Sequence, residues 1–235
     1  MIDIHCHILP GVDDGAKTWD TTLGMCEQAV QNGTTHIVAT PHANFRYSYD
    51  REQHQTLLNE LRTRVPSLQF SLGCDFHLSS ENIDSALANP ARYTVNGSKY
   101  LLVEYSDFIT RSSAEDPIRR LRSGGFVPII THPERNQLLL RHPEVVKTLV
   151  SLGCLVQITA NSITGFWGPD SRKVSLELLK QGMVHFIASD AHDTRRRTTM
   201  LSEAVKAASN VVGETRARKL VWDNPLEVVA AKPVA

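Results

Sequence analysis

Seven short apolar runs punctuate the chain: "IDIHCHI", "THIVATPH", "QFSLGCDF", "YLLVEYS", "FVPIITHPE", "CLVQITAN" and "VHFIASDAH". Each is rich in Val, Ile, Leu or aromatic residues and is bounded by polar or turn residues, which is the pattern of a buried strand. Between most of them the spacing of apolar residues changes to that of a helix. In "WDTTLGMCEQAVQNG" the side chains of Leu23, Cys26, Ala29 and Val30 fall on one helical face, and Asn32-Gly33 supplies a stop. The segments "REQHQTLLNELRTRV", "AEDPIRRLRSGG", "PEVVKTLVSLG", "SRKVSLELLKQG" and "TMLSEAVKAASNVVG" predict helices in the same way. Gly33, Gly125, Gly153 and Gly182 each stand just before an apolar run, as helix stops feeding the next strand. The longer stretch "HLSSENIDSALANPARYTVNGSK" predicts a crossing with a weak helix, and "VWDNPLEVVAAKPVA" a short packed segment with a frayed end.

Strands alternating with helices predict an α/β fold with a parallel sheet. Right-handed crossovers leave the C-terminal ends of its strands on one side, where such folds place their chemistry. No linker, repeat or low-complexity segment divides the 235 residues, so one domain over 1–235 is expected, with enough chain for one sizeable core.

Composition narrows the function. Twenty-five basic residues balance 25 acidic ones, so no bulk positive field gathers nucleic acid or anionic membrane, and anion recognition must be local. No apolar stretch approaches the ~20 residues of a membrane span, and the first residues lack the basic-then-apolar order of a signal peptide. A soluble, cytoplasmic protein without membrane insertion is expected. The four cysteines (Cys6, Cys26, Cys74, Cys154) show no C-x-x-C spacing and read as free, packed thiols. A cysteine phosphatase needs an arginine six residues after its nucleophile; the residues there are Val12, Asn32, Ser80 and Ala160.

Chemistry concentrates at the ends of the runs. His5 and His7 end the first, His42 the second, Asp75 the third, Glu104 the fourth, His132 the fifth, and Asp190 with His192 the seventh; only the sixth, ending Ala160-Asn161-Ser162, contributes no such residue. Side chains alternate along a strand, so His5 and His7 point the same way, as do Asp190 and His192. Each pair offers two converging donors from a rigid backbone, which suits a metal. Ionised carboxylates at apolar strand ends are costly unless cations lie beside them. A nitrogen and oxygen ligand set without sulfur fits zinc, manganese or iron, and the number of candidates exceeds one ion's need, implying two or three. The remaining histidines read as structural: His36 and His185 stand at strand beginnings, and His54 and His142 in polar helical surroundings. His77 shares strand parity with Asp75 and is the least settled of them.

These residues resemble the polymerase-and-histidinol-phosphatase (PHP) superfamily. Within it the chain is similar to the manganese-dependent protein-tyrosine phosphatases of bacterial capsule and exopolysaccharide synthesis. The resemblance rests on "MIDIHCHILPGVDDG", "ATPH", "YLLVEY", "HPERN", "VQITANSITGFWG" and "FIASDAH", in that order from Met1 to about Arg197, with "NPLEVV" near the end. It implies a distorted seven-stranded TIM-like α/β barrel carrying three divalent metal ions at its mouth. It further implies one ion on His5, His7, Asp75 and Asp190, a second on Asp75, Glu104 and His132, and a third on Asp14, His42 and His192. In the turn of the opening stretch, family position favours Asp14 over Asp13. Arg135 and Arg197 match positions that bind phosphate. The run Arg195-Arg196-Arg197 is expected at the start of a helix, where an anionic ligand would offset its conflict with the helix dipole. Three departures stand out: Asp75 replaces the usual glutamate and is one methylene shorter, Cys6 stands where a serine or threonine is common, and Ala43 replaces a second histidine after "TPH".

The activity implied is hydrolysis of phosphotyrosine. Metal ions make hydroxide available at neutral pH for in-line attack on phosphorus, and Arg135 and Arg197 neutralise the phosphoryl oxygens. Phenolate needs little acid assistance, and His42 or Asp14 is placed to provide it. The resemblance points to the tyrosine-rich tails of bacterial tyrosine autokinases as substrates. Two alternatives stay open: a phosphoesterase acting on a small molecule such as histidinol phosphate, and a non-catalytic, kinase-binding module. An amidohydrolase commonly has a bridging lysine at a mid-barrel strand end; here that position is Glu104, and Lys99 precedes the strand.

Overall fold

The computed structural model describes residues 1–234; Ala235, the last residue of the expected domain, lies outside the described residues. The seven apolar runs become nine parallel strands in two sheets. β1 (Ile2–Cys6), β2 (His36–Ala39) and β4 (Gln69–Leu72) make a three-stranded sheet in the order β1-β2-β4. β3 (His42–Ala43), β5 (Asp75–His77), β6 (Tyr100–Glu104), β7 (Val127–Thr131), β8 (Leu155–Thr159) and β9 (Phe186–Ala188) make a six-stranded sheet in that order.

The extra strands arise because the second and third runs each break. Pro41, between β2 and β3, has no N–H to give a ladder. Gly73, between β4 and β5, passes so close to its neighbours that an added Cβ would lie 3.1 Å from Val95 and 3.2 Å from Val38. At each break the chain leaves the small sheet and joins the large one: β2 pairs with β1 and β4, whereas β3 pairs with β5. Hydrogen bonding therefore groups the strands into two parallel sheets and does not by itself close them into the distorted seven-stranded barrel that the resemblance implied. The outer strands meet only briefly, through a bridge between Cys6 and Ala191 and through Asp190 N–H donating to the His5 carbonyl at 2.8 Å.

Helices cover both sheets. Met25, Cys26 and Ala29 of α1 (Trp19–Gln31) and Leu58 and Leu61 of α2 (Arg51–Arg64) pack with Ile37, Phe70 and Leu72 of the small sheet. α3 (Ser80–Ala88) is the weak helix of the irregular crossing, started by the Ser79 hydroxyl accepting from Asn82 N–H. α4 (Asp116–Ser123), α6 (Pro143–Ser151), α8 (Pro169–Lys180) and α9 (Ser202–Val212) bury Ile118, Leu121, Val146, Leu149, Leu178 and Ala204 in one cluster with Leu101, Val103, Ile130, Val156 and Ile158 of the large sheet. Each such fully buried aliphatic side chain stabilises the fold by ~1.5–3 kcal/mol. A third cluster of Ile2, Ile4, Val38, Leu102, Ile129 and Phe186 joins residues of both sheets.

Two short helices, α5 (Gln137–Arg141) and α7 (Ala160–Thr164), follow β7 and β8 where the sequence pattern showed none. The segment after Val212 is more ordered than expected: α10 (Glu214–Val221) and α11 (Asp223–Val229) bury Ala217, Leu220, Val221 and Val228. No helix of the described residues is long and apolar enough to cross a membrane.

Candidate metal centre

Parallel pairing brings the chemically active strand ends together. His42 lies directly opposite Asp75 in the β3/β5 ladder, and Glu104 lies opposite His77 in the β5/β6 ladder. Pairing between β1 and β2 slips between Asp3 and Cys6, a local irregularity at the strand that carries His5 and His7. His132, directly after β7, and Asp190, separated from the end of β9 by Ser189, hold left-handed backbones, φ 34° and 51°. With Asn96 they are the non-glycine residues of positive φ among the described residues. Strain of this kind persists where the surroundings over-determine it and is concentrated at functional sites.

Asp75 stands at the centre. Its Oδ2 lies 3.5 Å from His5 Nε2, 3.3 Å from His42 Nδ1 and 4.0 Å from His132 Nε2, so the shorter side chain still reaches three imidazoles. Thr131 donates to its Oδ1 at 3.3 Å. Asp190 Oδ1 sits 3.5 Å from His5 Nε2 and 3.3 Å from His7 Nε2. Asp14 Oδ1 is 3.3 Å from His42 Nε2 and 3.4 Å from His192 Nε2. Glu104 approaches His132 at 3.8 Å and His42 at 3.9 Å.

Three ligand groups are compact enough to hold an ion, each with donor atoms within 4.8 Å of one another: His7, Asp14, His42 and His192; His5, His7 and Asp75; and His42, Asp75 and Glu104. They overlap the expected sets with differences. His7 joins the Asp14 group, His42 takes the place of His132 beside Asp75 and Glu104 and lies nearer Asp75 than His132 does, and Asp190 is occupied by arginines. The nine expected ligands nevertheless surround one region. The His77 ring feels the charges of Asp75 and His42 but forms no hydrogen bond or ion pair with the centre among the described residues, and Asp13 and Asp14 divide their tasks. Asp13 accepts from His7 Nδ1 at 2.7 Å and from the amides of Gly15 and His42, whereas Asp14 faces His42 and His192. Gly15 makes that turn feasible, since a Cβ there would lie 2.2 Å from the His7 carbonyl oxygen.

The histidines are oriented from behind. His5 Nδ1 pairs with Gln157 Oε1 at 2.9 Å, His7 Nδ1 with Asp13, and His192 Nδ1 with the Asp190 carbonyl at 3.0 Å. In each case the backing bond turns Nε2 toward the centre, the arrangement that fixes the tautomer of metal-binding imidazoles. Gln157 comes from β8, the strand without a candidate ligand; its sequence signals were its place as a polar residue inside the apolar run "CLVQITAN" and within the family-like stretch "VQITANSITGFWG", neither of which gave it a role.

Electrostatics show what the centre lacks. Burial disfavours a charged His5 and His42, yet Asp75 and Asp190 push His5 up to about 9, and Asp14, Asp75 and Glu104 push His42 up to about 10. Burial and the neighbouring Asp75 carboxylate raise Glu104 to about 7. Burial and the adjacent His7 hold His192 down to about 4. The clustered carboxylates call for positive charge beside them, which divalent cations would supply. Asp75 Oδ2, His42 Nδ1 and His192 Nε2 are buried without a hydrogen-bond partner. Orphaned buried polar atoms are costly, and divalent ions in these groups would satisfy them.

Arg135 and Arg197 both donate to Asp190 Oδ2, the latter at 2.5 Å. Arg197 Nε is buried and unpaired. Arg195 and Arg196 are exposed, as expected for most of that run, but no helix starts there. The Asp193 carboxylate caps their amides at 2.6 Å each, and α9 begins only at Ser202. Buried Glu134 accepts from Thr159 N–H and Oγ1, tying the turn of His132 and Arg135 to β8. All four cysteines are free and buried, and burial raises their thiols, Cys26 and Cys154 to about 12. A thiolate nucleophile is disfavoured at every one.

Fold and centre together define the class: a parallel α/β protein with a candidate metal site of imidazoles and carboxylates at its strand ends. Residues 1–230 match the family model described as capsular polysaccharide synthesis, CpsB/CapC, and the chain belongs to that family. It is 36% identical over 208 residues to the putative tyrosine-protein phosphatase CapC of Staphylococcus aureus, covering 86% of this chain and 81% of that one. It is 35% identical over 211 residues to tyrosine-protein phosphatase YwqE of Bacillus subtilis, covering 87% and 82%. A crystal structure from work on YwqE of Bacillus subtilis and CpsB of Streptococcus pneumoniae, described as metal-dependent tyrosine phosphatases, superposes over the whole of both chains with a TM-score of 0.87 and 31% identity. The histidinol phosphate phosphatase of Lactococcus lactis shares the fold, with a TM-score of 0.58 and 12% identity over 92% of this chain and 93% of that one.

Proposed function

We propose that this chain is a metal-dependent protein-tyrosine phosphatase, hydrolysing phosphotyrosine without a cysteine nucleophile. The observation that carries the reading is the group of partnerless atoms on Asp75, His42 and His192, enclosed by six further candidate ligands and adjoined by two arginines, while every thiol is buried. The likeness to CapC and YwqE supports the same activity.

The finer assignment is three divalent ions, manganese by resemblance with zinc or iron as alternatives, held by His5, His7, Asp14, His42, Asp75, Glu104, His132, Asp190 and His192. Such ions supply Lewis acidity and a water activated at neutral pH. Arg135 and Arg197 each spend part of their guanidinium on Asp190 and keep N–H groups for the phosphoryl oxygens. Asp13 and Gln157 hold His7 and His5 in the productive tautomer. His42 or Asp14, at the more exposed edge, assists the departing phenolate.

The architecture is assigned as one phosphatase domain over 1–235, a distorted seven-stranded barrel opened into two sheets at Pro41 and Gly73. The Cys6–Ala191 bridge between the outer strands supports this reading. The substrate proposed is a tyrosine-phosphorylated protein, the tail of a bacterial tyrosine kinase that governs capsule or exopolysaccharide export. The site of action proposed is the cytoplasm, in keeping with four unpaired cysteines.

Stripping metals by dialysis and restoring manganese tests this reading, with a phosphotyrosine peptide, a phosphoserine peptide and histidinol phosphate compared. Turnover is expected to vanish on stripping, to return with manganese and to favour phosphotyrosine. Equal rates on all three substrates, or activity indifferent to chelation, overturns it.

A further inference from the structure

Beside the centre lies a cleft of about 400 Å3, within the ~300–1,000 Å3 typical of small-molecule sites. Its two walls differ in chemistry. The inner wall is polar and shared with the centre: Glu104, His132 and Arg135. The opposite lining is mixed: Leu140 of α5, Trp167 of the α7–α8 connection and Pro169 at the start of α8 supply its apolar part, beside Gln137 and Asp170. The Trp167 ring also backs both guanidiniums, with Arg135 Cζ 4.2 Å and Arg197 Cζ 5.5 Å from its centroid.

The indole is held there by its loop. Phe166 N–H donates to the Asn161 carbonyl at 2.9 Å, and Gly168 N–H to that of Gly165 at 3.1 Å. Gly165 and Gly168 adopt φ of 95° and 92°, a turn that favours glycine on both sides of Phe166-Trp167. A phosphate ester of an aromatic alcohol has the same polarity as this cleft: a dianion at one end and an apolar ring next to it. A phosphoserine has the dianion and no ring.

We propose that this cleft is the aryl subsite, in which the ring of the phosphorylated residue lies against Trp167 and Leu140 while its phosphoryl group faces Arg135 and the centre. Trp167 is thereby the residue that favours aryl over alkyl phosphate esters. The proposal rests on the phosphatase reading above and goes beyond it in locating the leaving group.

The test uses the manganese-loaded full chain and its Trp167→Ala and Trp167→Phe variants. One peptide sequence is offered as its phosphotyrosine and phosphoserine forms, and kcat and KM are measured for each. Calorimetry compares binding of the same peptide carrying phosphonomethyl-phenylalanine with one carrying an alkyl phosphonate. Trp167→Ala is expected to lower the tyrosine-to-serine ratio of kcat/KM by ~10-fold, mainly through KM, with a parallel loss of aryl phosphonate affinity; Trp167→Phe is expected to restore both to within ~3-fold. Equal losses on both esters, meaning that the indole only positions the arginines, or no loss on either, overturns the proposal. A wild type that binds the aryl phosphonate in a Trp167-dependent way but hydrolyses no phosphotyrosine keeps the subsite and sinks the phosphatase reading. Hydrolysis with a ratio indifferent to Trp167 does the reverse.

Discussion

The inner and outer halves of the centre are built differently. His5, Asp75 and Asp190 have side chains 0%, 0% and 2% exposed and are set by strand ladders, by the Thr131 hydroxyl and by Gln157. Asp14, His42 and Glu104 are 45%, 12% and 26% exposed, and Asp14 is held by a turn. Folding has already covered the desolvation of the inner set, so its geometry is rigid before any ion arrives. The outer set faces solvent, where an ion competes with water and exchanges more easily. An inner ion should therefore bind as part of the fold, and an outer one as a reversible component.

Removing an inner ligand should have the largest effect. His5→Ala or Asp75→Asn is expected to cost more than ~1,000-fold in kcat/KM and to lower metal content, because the loss strips a buried ligand, one that two groups share in the case of Asp75, and leaves its buried partners unpaired. Elemental analysis beside kinetics checks this, and a fully metallated, active Asp75→Asn protein would erase the distinction between the halves. Asp14→Asn comes next. It should lose about one equivalent of metal and ~100-fold in activity, partly recovered by excess manganese, whereas the inner variants should not recover. A manganese titration separates the two behaviours.

Backing residues should act more weakly still. Asp13→Asn and Gln157→Leu are expected to reduce metal affinity by ~10–100-fold while kcat at saturating manganese stays within a few-fold of wild type. If kcat collapses and affinity holds, these residues serve the reaction itself rather than the orientation of His7 and His5.

The smallest effect lies at the opposite end of the strands. His36, at the start of β2, is lowered to about 4 by burial and by Arg62. It stays neutral in the folded protein where the unfolded chain, with its ordinary value of 6.5, takes up a proton. The stability it contributes is thus full above about pH 6.5 and is lost as pH falls toward 4. His36→Gln should flatten that part of the melting temperature profile by ~2–4 °C without changing metal stoichiometry. A change in stoichiometry would mean that the two ends of the strands are coupled.

Legibility followed the same division. The ends of the apolar runs announced His5, His7, Asp190 and His192 as residues, but β9 stops at Ala188 and Asp190 holds a left-handed backbone, so strand alternation does not set the directions of the last two. The buried cysteines were legible by elimination, since none precedes an arginine at the required distance. Gln157 and Trp167 were not legible, because an amide within an apolar run and an aromatic residue in a glycine-flanked loop carry no chemistry until something lies opposite them. The breaks at Pro41 and Gly73 were visible as residues but not as sheet boundaries. Whether a strand continues or changes partners depends on what packs against it, in the case of Gly73 on Val38 and Val95.

Local order, the direction of alternating side chains and the inventory of imidazoles and carboxylates were thus determined by the sequence itself, because each depends on neighbours a few residues away. Which carboxylate backs a histidine and which faces the centre was decided by tertiary structure. So was the sharing of Asp190 between two arginines, and so was the apolar part of the cleft beside them. Those outcomes depend on desolvation and on distances between residues far apart in the chain, and burial turns an ångström of separation between Asp13 and His7 or Asp75 and His42 into the difference between a support and a ligand.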